Sequence, residues 1–419
     1  MSASLHIPRH RRTHYALWVA QWLLGFSLIA AGLVKLAQPF DQALAMFPWA
    51  ADVPVLFTVT SVLDVLGGLG VIVPSLTRLF PTVTVVAAIG VVLLMLAAVV
   101  FYLVRGEATE IVVNLVLAAV AAVIAWGRAV RAPITARLAE PEPFDTALPA
   151  AGPPPGMGVF QLPTGSYLTR AAFAVVGGAL REQREFASTA VLIRHPKGDL
   201  LIDAGFGSDA EAHIQTLPSF RRAAHDLRDT VSAQLDAANY DRSRLLGVLL
   251  THSHWDHVSG LDSLDVPVFM TSAERQYASD STSDTVFARV AHDHEIREYS
   301  IDGPAYLGFP ASHDFFGDGS VVIVAAAGHT TGSVIVFVTP PSGKRLAFIG
   351  DLTWQSDGIT RRVEKPLLMR ALADSDARQV RRDMQRVIAL EHDFQIIPAH
   401  DARAYTGIPV FTAESGSAR

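Results

Sequence analysis

Four long apolar stretches in the first third of the chain restrict its fold more than any other feature. They cover residues 15–36, 53–73, 81–104 and 111–126. About 20 apolar residues span a bilayer as a helix, and all but the shorter fourth stretch approach that length. Basic residues precede the first stretch, as in a cleaved signal peptide, but three further stretches favour a membrane span there. Because hydrophobic residues make up 50% of the chain, we expect part of it to lie in a membrane.

The positive charges around these stretches predict their orientation, because cytoplasmic loops are enriched in Lys and Arg. The opposite side carries only Lys35 and Arg105. The basic residues on the predicted cytoplasmic side are Arg9, Arg11, Arg12, Arg78, Arg128, Arg131 and Arg137. Both ends of the chain are therefore predicted to face the cytoplasm, in a cell (inner) membrane crossed several times.

Two ionisable residues lie within or near the end of the spans, Lys35 in the first and Asp64 in the second. A charge at membrane depth is costly and is usually paired or functional, so a contact between these two side chains is one hypothesis. The alternative is a lysine that reaches the interface and an aspartate in a small water-filled crevice. The sequence does not decide between them.

Residues 14–130 resemble the DoxX-like family of small four-helix membrane proteins. The resemblance rests on WLLGFSLIAAGLVKLAQP, with Gly32 and Lys35, and on Asp64 shortly before a glycine pair. It implies an architecture more than a function.

A proline-rich segment separates this region from the rest of the chain. Residues 139–157 contain six prolines and are predicted to form an extended spacer. We therefore predict three parts: a four-helix transmembrane domain at 1–138, a linker at 139–157 and a second domain at 158–419. In the last part, short apolar runs alternate with amphipathic segments. A hairpin is predicted around HPKG at 195–198, and helices are predicted near 208–217, 229–238, 272–279 and 366–390.

The second domain contains a cluster of potential metal ligands, THSHWDHVSG at 251–260. It follows an apolar run that predicts a strand. In an extended chain His252 and His254 face the same way, so both can bind one metal. Asp256 and His257 follow as the chain turns, where they can bind a second metal.

Three other apolar runs end in a small residue and then a metal-binding side chain. These side chains are His329, Asp351 and His400, preceded by Gly328, Gly350 and Ala399. Strand ends hold ligands firmly, and small residues allow close approach. The chain has no cysteine, so any metal must be bound through nitrogen and oxygen. The net charge of −6 argues against nucleic acid as the main partner.

Residues 158–410 resemble the metallo-beta-lactamase superfamily of hydrolases. The motifs are LIDAG at 201–205, THSHWDH, AAGHTTGS, FIGD and IPAH, in the order typical of that superfamily. The resemblance implies an α/β fold, the αββα sandwich. It implies that His252, His254 and His329 bind one metal, that Asp256, His257 and His400 bind another, and that Asp351 bridges both. Asp203 would orient ligands through hydrogen bonds.

Five imidazoles and two carboxylates suit two zinc ions, although iron, manganese or cobalt would also be accepted. A glutamate at position 254 would have favoured the di-iron branch, but this chain has His254. Such a centre supplies a bridging hydroxide that attacks a carbonyl, with Asp256 able to shuttle a proton. The catalytic candidates are thus Asp256 and Asp351.

The bridging position of Asp351 resembles the lactonase and thioesterase branches more than true beta-lactamases. Many of these lactonases have a tyrosine three residues after the bridging aspartate, where this chain has Trp354. An indole can stack on a substrate or donate one hydrogen bond, but it cannot act as a phenol does. Trp354 is therefore a candidate for the substrate pocket, and the assignment to acyl-homoserine lactones is weakened.

Three functional hypotheses follow. The first is a membrane-tethered dinuclear hydrolase of a lactone or ester, with a small-molecule substrate and a lipid bilayer as its partners. The second is a thioester hydrolase of the glyoxalase II type. The third is a non-hydrolytic membrane transport or redox protein with a metal-bound sensor domain. A basic run between 361 and 386 is interpreted as a solvated helix face, with the alternative that it attracts an anionic substrate.

Overall fold

The computed structural model describes residues 9–78, 80–107, 111–134, 147–217, 222–281 and 285–417. The chain divides into two compact units, Met1–Ala139 with Val176–Ala179, and Glu140–Val175 with Leu180–Arg419. Residues 139–146 of the predicted linker lie outside the described residues, as do Arg137 and the side chains of Arg9, Arg11 and Arg12. Residues 147–154 have no regular secondary structure.

The first unit consists of helices: α1 Arg9–Ala37, α2 Phe40–Met46, α3 Pro54–Thr77, α4 Thr82–Arg105 and α5 Ile111–Trp126, the last continued by a π-helical turn Gly127–Arg131. Four of these helical segments, Thr13–Ala37, Pro54–Thr77, Thr82–Arg105 and Ile111–Arg131, are long and apolar enough to cross a membrane. Leu24, Val71, Val91 and Ile124 are among the side chains packed at the centre of the bundle. The four predicted spans are therefore all helical.

Glycines let α1 and α3 approach closely. A Cβ atom at Gly68 would lie 2.6 Å from the carbonyl oxygen of Gly25, and one at Gly32 would lie 2.6 Å from that of Ser61. Such contacts are the usual role of small residues between membrane helices. Between the same two helices, Lys35 Nζ lies 2.9 Å from Asp64 Oδ2, and the aspartate side chain is only 7% exposed. The structure thus contains the ion pair, the first of the two alternatives.

The second unit contains two sheets. The seven-stranded sheet has the order β4-β1-β2-β3-β5-β6-β7 and the five-stranded sheet the order β12-β11-β10-β9-β8. The strands are β1 Gly158–Arg170, β2 Gln183–Arg194, β3 Asp199–Ile202, β4 His225–Leu227, β5 Leu245–Leu249, β6 Val268–Met270, β7 Ile296–Glu298, β8 His313–Asp314, β9 Val321–Ala325, β10 Val334–Val338, β11 Arg345–Phe348 and β12 Phe394–Ile397.

The helices of this unit are α6 Ala171–Ala174, α7 Ala210–Thr216, α8 Val231–Ala237, α9 Trp255–Val258, α10 Ser272–Asp280, α11 Val286–Val290, α12 Asp357–Thr360, α13 Leu367–Ala373, α14 Ala377–Ala389 and α15 Ala413–Ser417. Helices α7, α8, α13 and α14 fall within predicted helical regions, and α10 extends one residue beyond its predicted region. The predicted hairpin is present, since β2 and β3 are antiparallel neighbours.

Three apolar clusters define the layers of this unit. Buried side chains of both sheets, such as Ile193 and Ile323, pack together in one cluster. A second cluster covers the outer face of the first sheet with α7, α8 and α11. In a third cluster α14 packs through Val380 and Val387 on the outer face of the second sheet, against Phe337. Helices, two sheets and helices follow one another, so the predicted αββα sandwich is confirmed.

The predicted helix 366–390 was wrong in one respect, because it is interrupted between α13 and α14. Asp376 caps α14, where its side chain accepts hydrogen bonds from the backbone N–H groups of Arg378 and Gln379. The backbone N–H groups of Ser375 and Asp376 donate to the carbonyl oxygens of His329 and Gly328. These two hydrogen bonds take the place of backbone hydrogen bonds within a helix. They hold Asp374 beside the loop that carries His329.

Strand direction places the ends of several strands together. Strands β3 and β5 are parallel neighbours, and so are β11 and β12. Strand β9 is antiparallel to β10, which is antiparallel to β11, so β9 runs in the direction of β11. The carboxyl ends of parallel strands lie at the same edge of a sheet. The loops that follow β3 and β5 therefore lie together in the first sheet, and those that follow β9, β11 and β12 lie together in the second.

Candidate metal centre

The seven predicted ligands lie at this edge, in two groups. One group consists of His252, His254, His329 and Asp351, and the other consists of Asp256, His257 and His400; all seven are buried. Within each group, one nitrogen or oxygen atom from every residue lies within 4.8 Å of the others. The structure therefore brings together every residue that the sequence placed in the metal site.

The small residues before the ligands allow this convergence. Gly350 precedes Asp351 and has φ +50°, and a Cβ atom there would lie 3.2 Å from the Thr251 side chain. A Cβ atom at Gly328 would lie 2.6 Å from the backbone nitrogen of Val380 on α14. A larger residue at either position would push the ligand loop away from its neighbour.

Asp351 lies between the two groups. Its Oδ1 is 3.0 Å from His400 Nε2 and 3.5 Å from His257 Nε2. Its Oδ2 is 3.4 Å from His329 Nε2 and 3.8 Å from His252 Nε2. Each carboxylate oxygen thus faces the imidazoles of one group, which is the arrangement that a bridging ligand requires.

Buried atoms without hydrogen-bond partners test whether the site fits metal ions. Within the described part of the chain, Nε2 of His252, His257 and His400 and Oδ1 of Asp351 are buried and have no such partner. Buried polar atoms are nearly always paired, because an unpaired one costs free energy. In addition, His254 Nδ1 and His329 Nε2 face each other at 3.0 Å. Converging imidazole nitrogens and a carboxylate suit a divalent cation such as zinc.

The charges of these side chains also favour a cation at the site. Burial raises the pKa of Asp351, but the charge of the neighbouring His400 holds it well below its usual range. Burial lowers the pKa of His400, but Asp351 and Asp256 raise it above its ordinary value. Burial and the charge of His257 hold the pKa of His252 well below its ordinary value. Positive charge is thus stabilised next to Asp351, where a metal ion would supply it.

Asp203 contacts the second group from the end of β3. His257 Nδ1 donates to Asp203 Oδ2 at 2.8 Å. Asp203 also accepts hydrogen bonds from the backbone N–H and the hydroxyl of Thr251, at 2.7 and 2.8 Å. These bonds fix the imidazole so that Nε2 faces the site, which is the role that the resemblance implied for Asp203.

His329 is oriented by residues that the sequence did not reveal. Its Nδ1 lies 2.9 Å from Asp374 Oδ1, which also accepts a hydrogen bond from Lys365 Nζ at 2.5 Å. The Lys365 and Asp374 side chains are 1% and 0% exposed. The sequence predicted that Asp374 lies inside one continuous helix. Because the helix is interrupted before α14, Asp374 instead lies next to His329.

Other ligands are oriented by groups from distant parts of the chain. His400 Nδ1 donates to the carbonyl oxygen of Ala187 at 2.8 Å. The Tyr277 hydroxyl lies 3.1 Å from His254 Nε2, on the side away from His329. Glu274 accepts hydrogen bonds from Ser253 and Thr330, so this buried carboxylate joins two of the three loops that carry the first group.

Two aromatic side chains contact the carboxylates of the site. Trp354 is 8% exposed, and its Nε1 donates to Asp351 Oδ2 at 2.8 Å. The Tyr167 hydroxyl, on β1, donates to Asp256 Oδ2 at 2.9 Å. Sequence reasoning missed Tyr167, because only the pairing of β1 with β2 brings it near the ligands. A phenol is therefore present, although position 354 lacks one.

Comparison with known proteins agrees with these observations. Residues 184–400, about half of the chain, match the model of the metallo-beta-lactamase superfamily, and residues 19–124 match that of the DoxX-like family. Probable metallo-hydrolases of Mycobacterium tuberculosis and Mycobacterium bovis are each 29% identical over 234 residues, which cover 51% of this chain and 74% of the relative.

Solved structures with a similar fold include an N-acyl homoserine lactone hydrolase with N-hexanoyl-L-homoserine bound, at 15% identity and a TM-score of 0.47, covering 60% of this chain and 96% of that one. A probable metal-dependent hydrolase from Staphylococcus aureus is 16% identical with a TM-score of 0.43, covering 60% of this chain and 91% of that one. From the family match, the fold and the ligand set, the chain belongs to the metallo-beta-lactamase superfamily of hydrolases, here preceded by a DoxX-like domain.

Proposed function

We propose that this protein is a membrane-tethered dinuclear zinc hydrolase that opens the carbonyl of a lactone or ester. The observation that carries the proposal is the position of Asp351, with one oxygen toward each ligand group. Histidines that served only packing would not leave buried nitrogen atoms unpaired around a carboxylate. In the proposed assignment, His252, His254 and His329 hold one ion, and Asp256, His257 and His400 hold the other.

Zinc is proposed because the site offers imidazole and carboxylate without thiolate. Two such ions polarise a carbonyl and provide a water-derived nucleophile at neutral pH. The protein positions the ligands. Asp203, Asp374 and the Ala187 carbonyl hold the histidines in the tautomers that direct nitrogen lone pairs inward.

Asp256 is proposed to carry a proton as well as bind a metal. Its Oδ2 accepts from Tyr167 and lies 3.4 Å from His400 Nε2. The phenol can thus restrain the carboxylate while it accepts a proton from the attacking water and passes that proton to the leaving oxygen. A bridging Asp351 also favours lactones and esters over beta-lactams, given the branches that the sequence resembles.

The domain organisation of the proposal has three parts: a four-helix membrane domain at 1–138, a linker at 139–157 and the hydrolase domain at 158–419. The four apolar helices support the first part. We propose that the N-terminus and the hydrolase domain face the cytoplasm, as the distribution of basic residues predicts. The substrate then reaches the site from the cytoplasm or the inner leaflet.

A substrate panel on the full chain tests the proposed function. Purified protein in lipid nanodiscs is analysed for bound metals and assayed with lactones, esters and S-lactoylglutathione. We expect two zinc ions per chain and turnover of lactones or esters that a chelator removes and added zinc restores. Far faster cleavage of the thioester would support a glyoxalase II-type enzyme instead. Binding of metal without turnover of any carbonyl substrate would contradict a hydrolase and favour a sensor domain.

A further inference from the structure

The most exposed apolar side chains of the second unit, among the residues described, lie on one short helix. Leu367, Leu368 and Leu372 of α13 are 54%, 61% and 62% exposed. Single exposed leucines are common on soluble proteins. Three on a helix of seven residues form an apolar patch, and such patches usually mark a binding surface. The opposite side of α13 is not exposed in this way, since Met369 and Ala373 pack inward.

The patch adjoins the metal centre. Met369 and Ala373 pack on a small cluster formed by Ala174, Phe186 and Trp354. Trp354 in turn donates to Asp351. Phe173, which precedes Ala174 on α6, is also 40% exposed. Trp354 thus contacts both the inner side of α13 and Asp351, a proposed metal ligand.

The charges around α13 are unlike those of the whole chain. Residues 361–386 contain eight Arg or Lys and four Asp or Glu, a net charge of +4 in a chain of net charge −6. Three of the acidic groups are paired within the segment. Glu364 binds Arg370 and Arg381 at 2.6 and 2.8 Å, Asp374 is buried with Lys365, and Asp383 binds Arg386 at 2.6 Å. Arg361 and Arg362 pair with Asp357 and Glu391 outside it. Arg378 and Arg382, on α14, remain exposed.

An exposed apolar strip with a positive surround fits the surface of an anionic bilayer. A protein partner fits less well, since a stable protein interface buries about 1,200–2,000 Å² and α13 is about 10 Å long. A bilayer is also the environment that the four apolar helices of the same chain require.

We propose that α13 binds the surface of an anionic lipid bilayer. Leu368 and Leu372 insert among the lipid headgroups, and Arg378 and Arg382 contact anionic lipids. The metal centre then opens near the bilayer surface, where a substrate with an acyl chain would partition. This last step rests on the proposed function, whereas the binding of lipid does not.

The absence of cysteine from the chain allows a direct test. Single cysteines replace Leu368, Leu372 or, as a control, Val410, which is 47% exposed on the same unit. Each variant of the full chain is labelled with an environment-sensitive fluorophore and placed in nanodiscs. The nanodiscs contain lipids with a nitroxide quencher near the headgroup, and either neutral or anionic lipid.

We expect the lipid quencher to reduce fluorescence at positions 368 and 372 about threefold more than at 410. Replacing anionic by neutral lipid should reduce that difference. Equal quenching at all three positions would overturn the proposal. A blue shift at 368 without quenching would also overturn it, because protein rather than lipid would then cover α13. Neither readout depends on turnover, so a failure of the hydrolase assignment stays distinguishable from a failure of lipid binding.

Discussion

Trp354 Nε1 donates a 2.8 Å hydrogen bond to Asp351 Oδ2, the oxygen that faces His252 and His329. The indole therefore contacts a proposed metal ligand directly. This contact gives the residue at position 354 a role that does not require a phenol, namely to hold the carboxylate of Asp351, the proposed bridging ligand, in place. Trp354 also packs on Phe186, with ring centroids 5.7 Å apart.

Trp354→Phe should keep most of the packing and remove the hydrogen bond. Loss of such an outer partner typically costs 10- to 100-fold in metal affinity or activity, and we expect a fall in kcat of about tenfold. Turnover and bound metal are measured together. Trp49→Phe is the control, since the indole nitrogen of Trp49 has no hydrogen-bond partner among the described residues. Equal activity of the two variants would show that the contact with Asp351 has no catalytic effect.

The seven candidate ligands could be identified in the sequence because each follows a recognisable local pattern. A ligand such as Asp351 comes directly after an apolar strand and a glycine, so neighbours in sequence are enough to identify it. The four long apolar helices were predictable for the same reason, since length and apolar composition are local properties. The αββα sandwich came from the resemblance that these motifs carry.

The groups that orient the ligands could not be predicted in this way. Asp374 contacts His329, which is 45 residues away, and Tyr167 contacts Asp256, which is 89 residues away. Their roles depend on which strands and loops become neighbours. The interruption before α14 is also a tertiary effect, because it is stabilised by hydrogen bonds from Ser375 and Asp376 to the loop that carries His329.

Asp351→Asn should remove the negative charge between the two ligand groups. A neutral amide binds a divalent cation poorly, so we expect the metal content to fall toward one ion per chain and turnover to fall at least about 100-fold. Metal analysis and turnover are compared with those of Asp236→Asn, an exposed carboxylate remote from the site. Two bound metals with unchanged turnover would refute the bridging role.

Tyr167→Phe should remove the hydroxyl group that donates to Asp256 while keeping the ring that packs on Phe186. We expect kcat to fall about tenfold with little loss of bound metal, because Asp256 would keep its place but lose its restraint. Tyr240→Phe is the matched control, since its hydroxyl donates to Asp199, away from the ligands. Loss of both metals in Tyr167→Phe would instead show that the phenol is needed for metal binding.

The proposed orientation can be tested with single cysteines in the cysteine-free chain. Ala51 is exposed between α2 and α3, and Val410 is exposed in the hydrolase unit. In intact spheroplasts, a membrane-impermeant maleimide should label Ala51→Cys but label Val410→Cys only after permeabilisation. The reverse pattern would place the hydrolase domain outside the cytoplasm.

Lys365 and Asp374 form a buried ion pair whose loss should reduce stability. The lysine ammonium group is the charge that compensates the Asp374 carboxylate, and both side chains are almost fully buried. Lys365→Met leaves an uncompensated buried carboxylate, which typically costs about 3–5 kcal/mol. Chemical unfolding of the metal-free protein measures the change, so that altered zinc binding does not contribute.

The double variant Lys365→Met/Asp374→Leu removes both charges. It therefore distinguishes the stability that the ion pair contributes from the cost of leaving one buried charge without a partner. Replacing both partners by apolar residues is often nearly neutral, so the double variant should be more stable than Lys365→Met alone. It should nevertheless bind zinc more weakly than the wild type, because His329 Nδ1 loses its acceptor. If the double variant were the less stable of the two, the carboxylate would be stabilised without Lys365, and the lysine would not be its main partner.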